Sequence, residues 1–81
     1  MTAAIKETLL SRAPQVFLMC CDFRNFSTVA SALGLTQSAV SKIIANFEND
    51  LGFPLFVRNS RPLTLTPEAR VLQQHLRKIS G

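Results

Sequence analysis

Apolar residues recur at three- and four-residue steps along most of this chain, and such spacing predicts helices. In the part that follows Pro14, the apolar positions that share one helical face are Val16, Phe17, Cys20 and Phe23. Proline disfavours helix at the residue before it and suits the first turn of a new helix. We therefore expect a first core helix over residues 14–23, preceded by an N-terminal extension of residues 1–13.

Two further helices are predicted on either side of a glycine. A hydroxyl side chain, Ser27 or Thr28, can cap a short second helix. Gly34 ends that helix because glycine readily adopts the left-handed conformation that terminates helices. Thr36 then caps a third helix, residues 36–51. Two helices joined by a tight turn that contains glycine form a helix-turn-helix.

The third helix has an apolar face and a face of small polar residues. Its apolar positions are Val40, Ile43, Ile44, Phe47 and Leu51. The opposite positions are Ser38, Ser41, Lys42, Ala45 and Asn49. Small side chains let a helix come close to a grooved surface, as reading of base edges requires. Gln37, in the first turn, can pair bidentately with adenine N6 and N7. The alternative is that these residues form an ordinary solvated face.

After Gly52 the pattern becomes extended. Two short apolar runs, residues 55–57 and 63–65, flank a turn-prone stretch that contains Arg61. This pattern predicts a two-stranded β-hairpin with a basic tip, and residues 55–65 are called the wing segment below. The fold class predicted from the sequence is thus mainly α, a winged helix-turn-helix.

A fourth helix is predicted after the wing segment, with Thr66 as its cap and Pro67 in its first turn. Steps of four and three residues, the spacing of a coiled-coil seam, separate Leu65, Ala69, Leu72, Leu76 and Ile79. This stripe predicts a dimerisation surface. The alternative is that it packs on the core of its own domain, and for the early positions both interpretations stay open.

Length and charge narrow the class of partner. The chain has 81 residues, the size of one small domain. Its net charge is +4, which favours nucleic acid or another anionic surface as partner. Many small domains carry a similar charge only for solubility, so charge alone decides nothing.

The cysteines and histidine predict neither a disulfide nor a metal site. Cys20 and Cys21 are adjacent and cannot join distant parts of the chain, so we expect buried, reduced thiols. Besides the two cysteines, His75 is the only Cys or His in the sequence, and it is far along the chain. Because structural zinc sites need four ligands, we expect no metal site. No cofactor is expected. The run "VFLMCC" is too short for a membrane span, and no signal peptide is visible, which indicates a cytoplasmic protein.

The string "TQSAVSKIIANFENDLGFPLFVRNSRPLTLTPEA" resembles the N-terminal DNA-binding domain of LysR-type transcriptional regulators. Members of that family carry the motifs Ser/Thr-Gln-x-Ala-x-Ser, Leu-Glu, Leu-Gly and Leu-Phe-x-Arg in this order. The resemblance covers nearly the whole chain from Pro14 onward. It implies a winged helix-turn-helix over residues 14–65, followed by the start of a linker and dimerisation helix over residues 66–81.

The resemblance also implies which residues meet DNA. The third helix would enter the major groove, and the wing segment would lie on the backbone or in the minor groove. The candidate DNA-binding residues are Ser27, Thr28, Thr36, Gln37, Ser38, Ser41, Lys42, Arg58 and Arg61. The implied partners are a pseudo-palindromic double-stranded operator and a second copy of the chain, as a homodimer or higher homo-oligomer. A small-molecule effector would act only through a C-terminal domain that this chain lacks.

Some positions depart from the family pattern. Ser38 stands where many members have proline, which exchanges an apolar contact for a hydrogen-bonding group. Phe47 replaces the usual leucine before Glu48, a change within the core.

An ion pair between Glu48 and Arg58 would orient the wing segment. The chain ends at Gly81, where the family's linker helix would continue, so we expect a longer natural protein.

Two other classes of function compete with DNA binding. A winged-helix module that binds protein instead of DNA predicts apolar residues on the exposed face of the third helix, and Ser38, Ser41 and Lys42 argue against it. An enzyme would need paired carboxylates, a nucleophile with its base, or a phosphate-binding loop, and none is visible. We therefore expect a DNA-binding protein that is not an enzyme.

Overall fold

A computed structural model describes the backbone of residues 2–80 and the side chains of residues 12–78. Its helices are α1 (Thr2–Phe23), α2 (Phe26–Leu33), α3 (Gln37–Leu51) and α4 (Pro67–Ser80). The first three pack against one another, and α4 lies on α1. The described part of the chain is therefore mainly helical, with the wing segment between α3 and α4.

The first helix is longer than the sequence predicts. It begins at Thr2 and continues through Pro14, so the expected helix start near that proline is wrong. A proline inside a helix removes one backbone hydrogen bond, but its fixed φ is compatible with helix. The preceding residue, Ala13, is buried in the core, so tertiary packing supports the helix where the local preference opposes it.

The core is centred on Phe17, which is fully buried. Its ring contacts Phe47 of α3 with centroids 6.2 Å apart and Phe56 of the wing segment with centroids 5.8 Å apart. Phe56 in turn contacts Phe26 of α2 at 6.0 Å. Edge-on and tilted ring pairs of this kind add to the free energy of apolar burial. Four aromatic side chains therefore link α1, α2, α3 and the wing segment.

Of the two N-terminal caps in the helix-turn-helix, the structure confirms the one predicted for α3 but not the one predicted for α2. Thr36 caps α3, as predicted, because its Oγ1 accepts the N–H of Ala39 at 3.1 Å. Asn25 caps α2 by accepting the N–H of Thr28 at 3.1 Å, so the prediction of Ser27 or Thr28 as cap is wrong. Between the helices, Gly34 has φ 70°, the left-handed conformation that the sequence predicts.

The wing segment pairs over a shorter length than a two-stranded hairpin. Its arms meet at one antiparallel bridge between Phe56 and Leu65, and no longer strand forms among the described residues. The N–H of Val57 donates to the carbonyl of Thr64 at 2.8 Å beside that bridge. Pro62 has no N–H to donate, and this limits continued pairing toward the tip. Side-chain hydrogen bonds and single backbone hydrogen bonds hold the remainder of the segment.

Ser60 closes the tip of the wing segment. Its hydroxyl donates to the carbonyl of Val57 at 2.7 Å and accepts the N–H of Thr64 at 3.1 Å. At the base, the Thr66 hydroxyl donates to the carbonyl of Pro54 at 2.7 Å and accepts the N–H of Ala69 at 3.2 Å. Thr66 therefore caps α4, as predicted, and also ties the start of that helix to the chain before the wing segment.

Much of the apolar stripe near α4 faces its own domain. Ala69 is fully buried, and the partly buried residues that pack on the core include Leu65, Leu72 and Leu76. The side chain of Ile79 lies outside the described residues. Arg77 of α4 forms an ion pair with Asp22 of α1, with Nη2 and Oδ1 2.7 Å apart. These contacts explain the position of α4 without a second chain.

Both cysteines are buried free thiols, as predicted. Burial, with a smaller effect of the neighbouring Cys21, raises the pKa of Cys20 from 9.0 to about 12. Burial likewise raises the pKa of Cys21 to about 11. At neutral pH both groups are therefore protonated and poor nucleophiles.

Among the helices of residues 2–80, none has the length and apolar character that crossing a membrane requires.

Candidate nucleic-acid interface

The start of α3 presents a polar face to solvent. Gln37, Ser38, Ser41 and Lys42 are all exposed, as is Ala45 one turn further on. The opposite side of the helix is buried in the core through Val40, Ile44 and Phe47. The two faces therefore separate as the sequence predicts, because the apolar side is fully used by packing. The small exposed residues leave the helix surface open to close approach.

The polar face of α3 is connected to α2. The hydroxyl of Ser27 donates a hydrogen bond to Oε1 of Gln37, with the oxygens 2.9 Å apart. Ser27 lies in the first turn of α2, and Gln37 is the first residue of α3. Thr28 is exposed beside Ser27, and its N–H is held by the Asn25 cap. Two candidate residues from different helices are thus directly joined.

Three adjoining clefts surround the exposed face of α3, and two of them reach the wing segment. One, of about 740 Å³, lies between the start of α2, the start of α3 and the wing tip, and its lining includes Ser27, Gln37 and Arg61. A second, of about 390 Å³, lies between α3 and the wing segment, where Ser41 and Arg58 line it. A groove of about 410 Å³ on α3 contains Ser38 and Lys42. Seven of the nine candidates therefore line one concave surface of adjoining clefts, whereas Thr28 and Thr36 line none of the three.

The charges on this surface are mostly positive. Four basic side chains line the three clefts: Arg24, Lys42, Arg58 and Arg61. The acidic side chain in the same lining is Glu48, and its Oε2 accepts the N–H of Leu55 at 2.6 Å. The ion pair with Arg58 considered from the sequence does not form among the described residues, since the carboxylate is engaged by the backbone. Arg58 therefore stays available to an anionic ligand.

Arg24 is a site residue that the sequence did not indicate. Its Nε donates to the carbonyl of Leu63 at 2.9 Å, and its own carbonyl accepts the N–H of Leu63 at 3.1 Å. Its φ is 57°, a left-handed conformation that is uncommon outside glycine. These two bonds join the loop between α1 and α2 to the wing segment. No local pattern signals them, because the partners lie 39 residues apart.

The remaining chemistry of the surface is simple. Within the described part of the chain, no three His, Cys, Asp or Glu side chains converge into a group that could hold a metal ion. The surface instead offers hydroxyl and amide groups at the centre and guanidinium and ammonium groups around them. Such an arrangement suits an extended polyanion with hydrogen-bonding groups between its charges.

The family described as "Bacterial regulatory helix-turn-helix protein, lysR family" matches residues 11–70. This chain belongs to that family. The matched region of this LysR-family domain contains α2, α3, the wing segment and most of α1. A probable hydrogen peroxide-inducible genes activator of Mycobacterium xenopi is 38% identical over 65 residues, which are 80% of this chain and 34% of that regulator. The chain thus spans about a third of the length of this relative.

Solved structures support the same assignment of the LysR-family domain. The BenM DNA-binding domain in complex with catB site 1 DNA superposes with a TM-score of 0.80 at 32% identity, covering 84% of this chain and 73% of that chain. Vibrio fischeri DarR in complex with DNA has a TM-score of 0.81 at 31% identity, covering 86% of this chain and 24% of that chain. The winged helix-turn-helix fold of these LysR-family structures is therefore the fold of this domain.

Proposed function

We propose that this LysR-family domain binds double-stranded DNA in a sequence-specific manner as part of a transcriptional regulator. The recognition helix, residues 36–51, enters the major groove, and the wing segment lies on the backbone or in the minor groove. The observation that carries the proposal is the exposed face of small polar residues at the start of α3, bordered by clefts with basic linings. The DNA complexes of BenM and DarR add support.

Sequence is read by the polar face of α3. B-DNA's major groove is about 12 Å wide and admits an α-helix. Ser38, Ser41 and Ala45 are short and exposed, so they permit this approach. Gln37 reaches base edges from the first turn, where a side chain points past the helix end. The hydroxyl of Ser41, one turn along, donates to or accepts from several bases.

Affinity comes mainly from the basic residues. Arg58 and Arg61 of the wing segment and Lys42 of α3 are exposed on the same concave surface. Arginine is always charged and suits phosphates or a narrow minor groove. Contacts of this kind release counterions and act on every DNA sequence alike. The proposed division is therefore that α3 specifies the site while the wing segment anchors the domain.

A homodimer or higher homo-oligomer is part of the proposal. Residues 14–65 act as the DNA-binding unit, and residues 66–81 begin a linker helix that pairs two copies. A pair of recognition helices about one DNA turn apart, roughly 34 Å, or a multiple of that distance, then reads a pseudo-palindromic operator. The regulator acts in the cytoplasm, and an effector reaches it through a further domain. We propose no enzymatic activity for this domain.

The competing function, a winged-helix module that binds protein, has less support. It requires large apolar side chains on the exposed face of α3. Among the described residues, the exposed large apolar side chains are Phe23, Leu33, Val57 and Val71. None belongs to α3, and they are distributed over the other elements of the fold. The surface that this alternative needs is occupied by serine, glutamine and lysine.

Selection from a random DNA pool at stated salt tests the proposal, because affinity without a salt concentration has little meaning. We expect one enriched motif. On that site Gln37→Ala should cost roughly 1–3 kcal/mol, the typical worth of a bidentate base contact, with little change on random DNA. Asn46→Ala, an exposed change on α3 outside the three clefts, is the matched control. Absence of any enriched motif, or equal losses on both DNAs, would refute sequence reading by this face.

A further inference from the structure

The hydrogen bond between Ser27 and Gln37 has no role in capping either helix. Asn25 caps α2 and Thr36 caps α3, so the hydroxyl of Ser27 is free for another partner. It donates to Oε1 of Gln37 at 2.9 Å, although both residues are exposed to water. A bond of this kind contributes little to folding, because water can replace it on both sides. Its consequence is instead the orientation of the glutamine amide.

The two ends of a glutamine amide have opposite hydrogen-bonding character. Oε1 accepts, whereas Nε2 carries two N–H groups that donate. Because the Ser27 proton already occupies one lone pair of Oε1, that oxygen is held toward α2. Oε1 keeps only its second lone pair, whereas both N–H groups of Nε2 remain unused at the other end of the amide. A bidentate pair with adenine uses both ends of the amide, whereas the major-groove edge of guanine offers the two acceptors N7 and O6.

We infer that Ser27 is a positioning residue that holds Gln37 with its amide NH2 presented to DNA, so that Gln37 selects the acceptor edge of guanine over adenine. This inference rests on the proposed function. Gln37 also gains from being held before binding, since a side chain with three rotatable bonds loses less conformational entropy on contact when it is already ordered. The loss of the Ser27 hydroxyl should therefore affect recognition through Gln37 alone.

A double-mutant cycle tests this coupling. The wild type, Ser27→Ala, Gln37→Ala and the double variant are titrated with the selected site and with random DNA of equal length at one salt concentration. We expect Ser27→Ala to weaken site binding by roughly 3- to 10-fold, the effect of one hydrogen bond, and to cause no further loss in the Gln37→Ala background. Random DNA should be bound equally by all four proteins. Ser27→Thr, which restores a hydroxyl, should recover most of the loss.

Ser31→Ala is the matched control, because Ser31 is an exposed serine of α2 that lines none of the three clefts. It should leave both titrations unchanged. A DNA-free measurement complements the cycle: relaxation of the Gln37 side-chain amide by NMR. The amide should be ordered in the wild type and more mobile in Ser27→Ala. Equal mobility in both proteins would overturn the inference.

The choice of base is tested with modified DNA. At the position whose preference disappears in Gln37→Ala, we expect guanine, and 7-deazaguanine there should weaken wild-type binding about as much as Gln37→Ala does. Additive losses in the cycle, an adenine at that position, or tighter binding by Ser27→Ala would each overturn the inference while leaving sequence-specific binding intact. A wild type that selects no site would overturn both the proposed function and the inference.

Discussion

Oε2 of Glu48 lies 2.6 Å from the backbone nitrogen of Leu55 and accepts its hydrogen bond. Glu48 is in the last turn of α3, and Leu55 is the fully buried first residue of the wing segment. Between them the chain reverses at Gly52, whose φ of 84° is left-handed. The carboxylate therefore satisfies a backbone donor that the short pairing of the wing segment leaves free. It thereby links the last turn of α3 to the start of the wing segment.

Removal of this carboxylate should destabilise the domain. We expect Glu48→Ala to lower the free energy of unfolding by about 1.5–3 kcal/mol, the range for hydrogen bonds to charged groups. Glu48→Gln keeps an acceptor and should cost less. Urea unfolding measures both, with the exposed Asp50→Ala as control. If Glu48→Ala unfolds at the same urea concentration as the control, the carboxylate does not hold the wing segment.

Truncation of the central aromatic residue should have the largest effect on folding. Phe17→Ala should cost roughly 3–5 kcal/mol, since it leaves a cavity between Phe47 and Phe56. The total stability of a protein domain is only about 5–15 kcal/mol, so this loss removes a large share of it and should lower the melting temperature strongly. Phe23→Ala, at a half-exposed residue, is the matched control for thermal unfolding. Equal melting temperatures for the two variants would contradict this account of the core.

Loss of a wing arginine should weaken binding to all DNA sequences alike. We expect Arg61→Ala to reduce the slope of log affinity against log salt by about 0.9 for each lost phosphate contact. The preferred bases should not change. Arg12→Ala removes an equal charge from an exposed position on α1 and should leave the slope nearly unchanged. A changed base preference with an intact slope for Arg61→Ala would show that the wing segment reads bases directly.

The buried thiols should make stability depend on pH only under alkaline conditions. Burial raises the pKa of Cys20 from 9.0 to about 12, so between these values the unfolded chain loses this proton while the folded chain keeps it. Stability should therefore fall as pH rises above 9, by up to about 1.4 kcal/mol per pH unit for each such thiol. Below pH 9 the thiols add no pH dependence. Urea unfolding from pH 8 to 10.5 should show a shallower decline for Cys20→Ala, and parallel curves would contradict the assigned pKa.

Pairing through α4 should be weak in this chain, because most of its apolar stripe is used by its own core. An aspartate at Leu72 or Leu76 would disturb that core, so we choose Val71, which is exposed on α4. We expect sedimentation equilibrium to detect a dimer at high protein concentration, and Val71→Asp to raise its dissociation constant at least about tenfold, as expected for a charge buried in an apolar contact. A wild type that stays monomeric, or a dimer unaffected by Val71→Asp, would refute pairing through this face.

Local signals in the sequence determined the helix-turn-helix. Gly34 takes the left-handed φ that ends α2, and the Thr36 hydroxyl caps α3 by accepting the N–H of Ala39, three residues along the chain. Both features therefore depend on neighbours in the sequence. The division of α3 into a buried and an exposed face also follows from helical spacing alone. The family motifs lie in the same stretch. These predictions were correct because each depends on residues only a few positions apart.

The tertiary structure decided the features that need distant partners. Helix α1 continues through Pro14 because Ala13 packs in the core. This packing outweighs the local preference for a helix break at the proline. Arg24 binds Leu63 across 39 residues, and this contact needs the folded arrangement of α1 and the wing segment. The bond from Ser27 to Gln37 exists only because Gly34 turns the chain so that the starts of two helices meet. The spacing of residues along the chain does not predict such contacts, because they depend on how the helices pack in three dimensions.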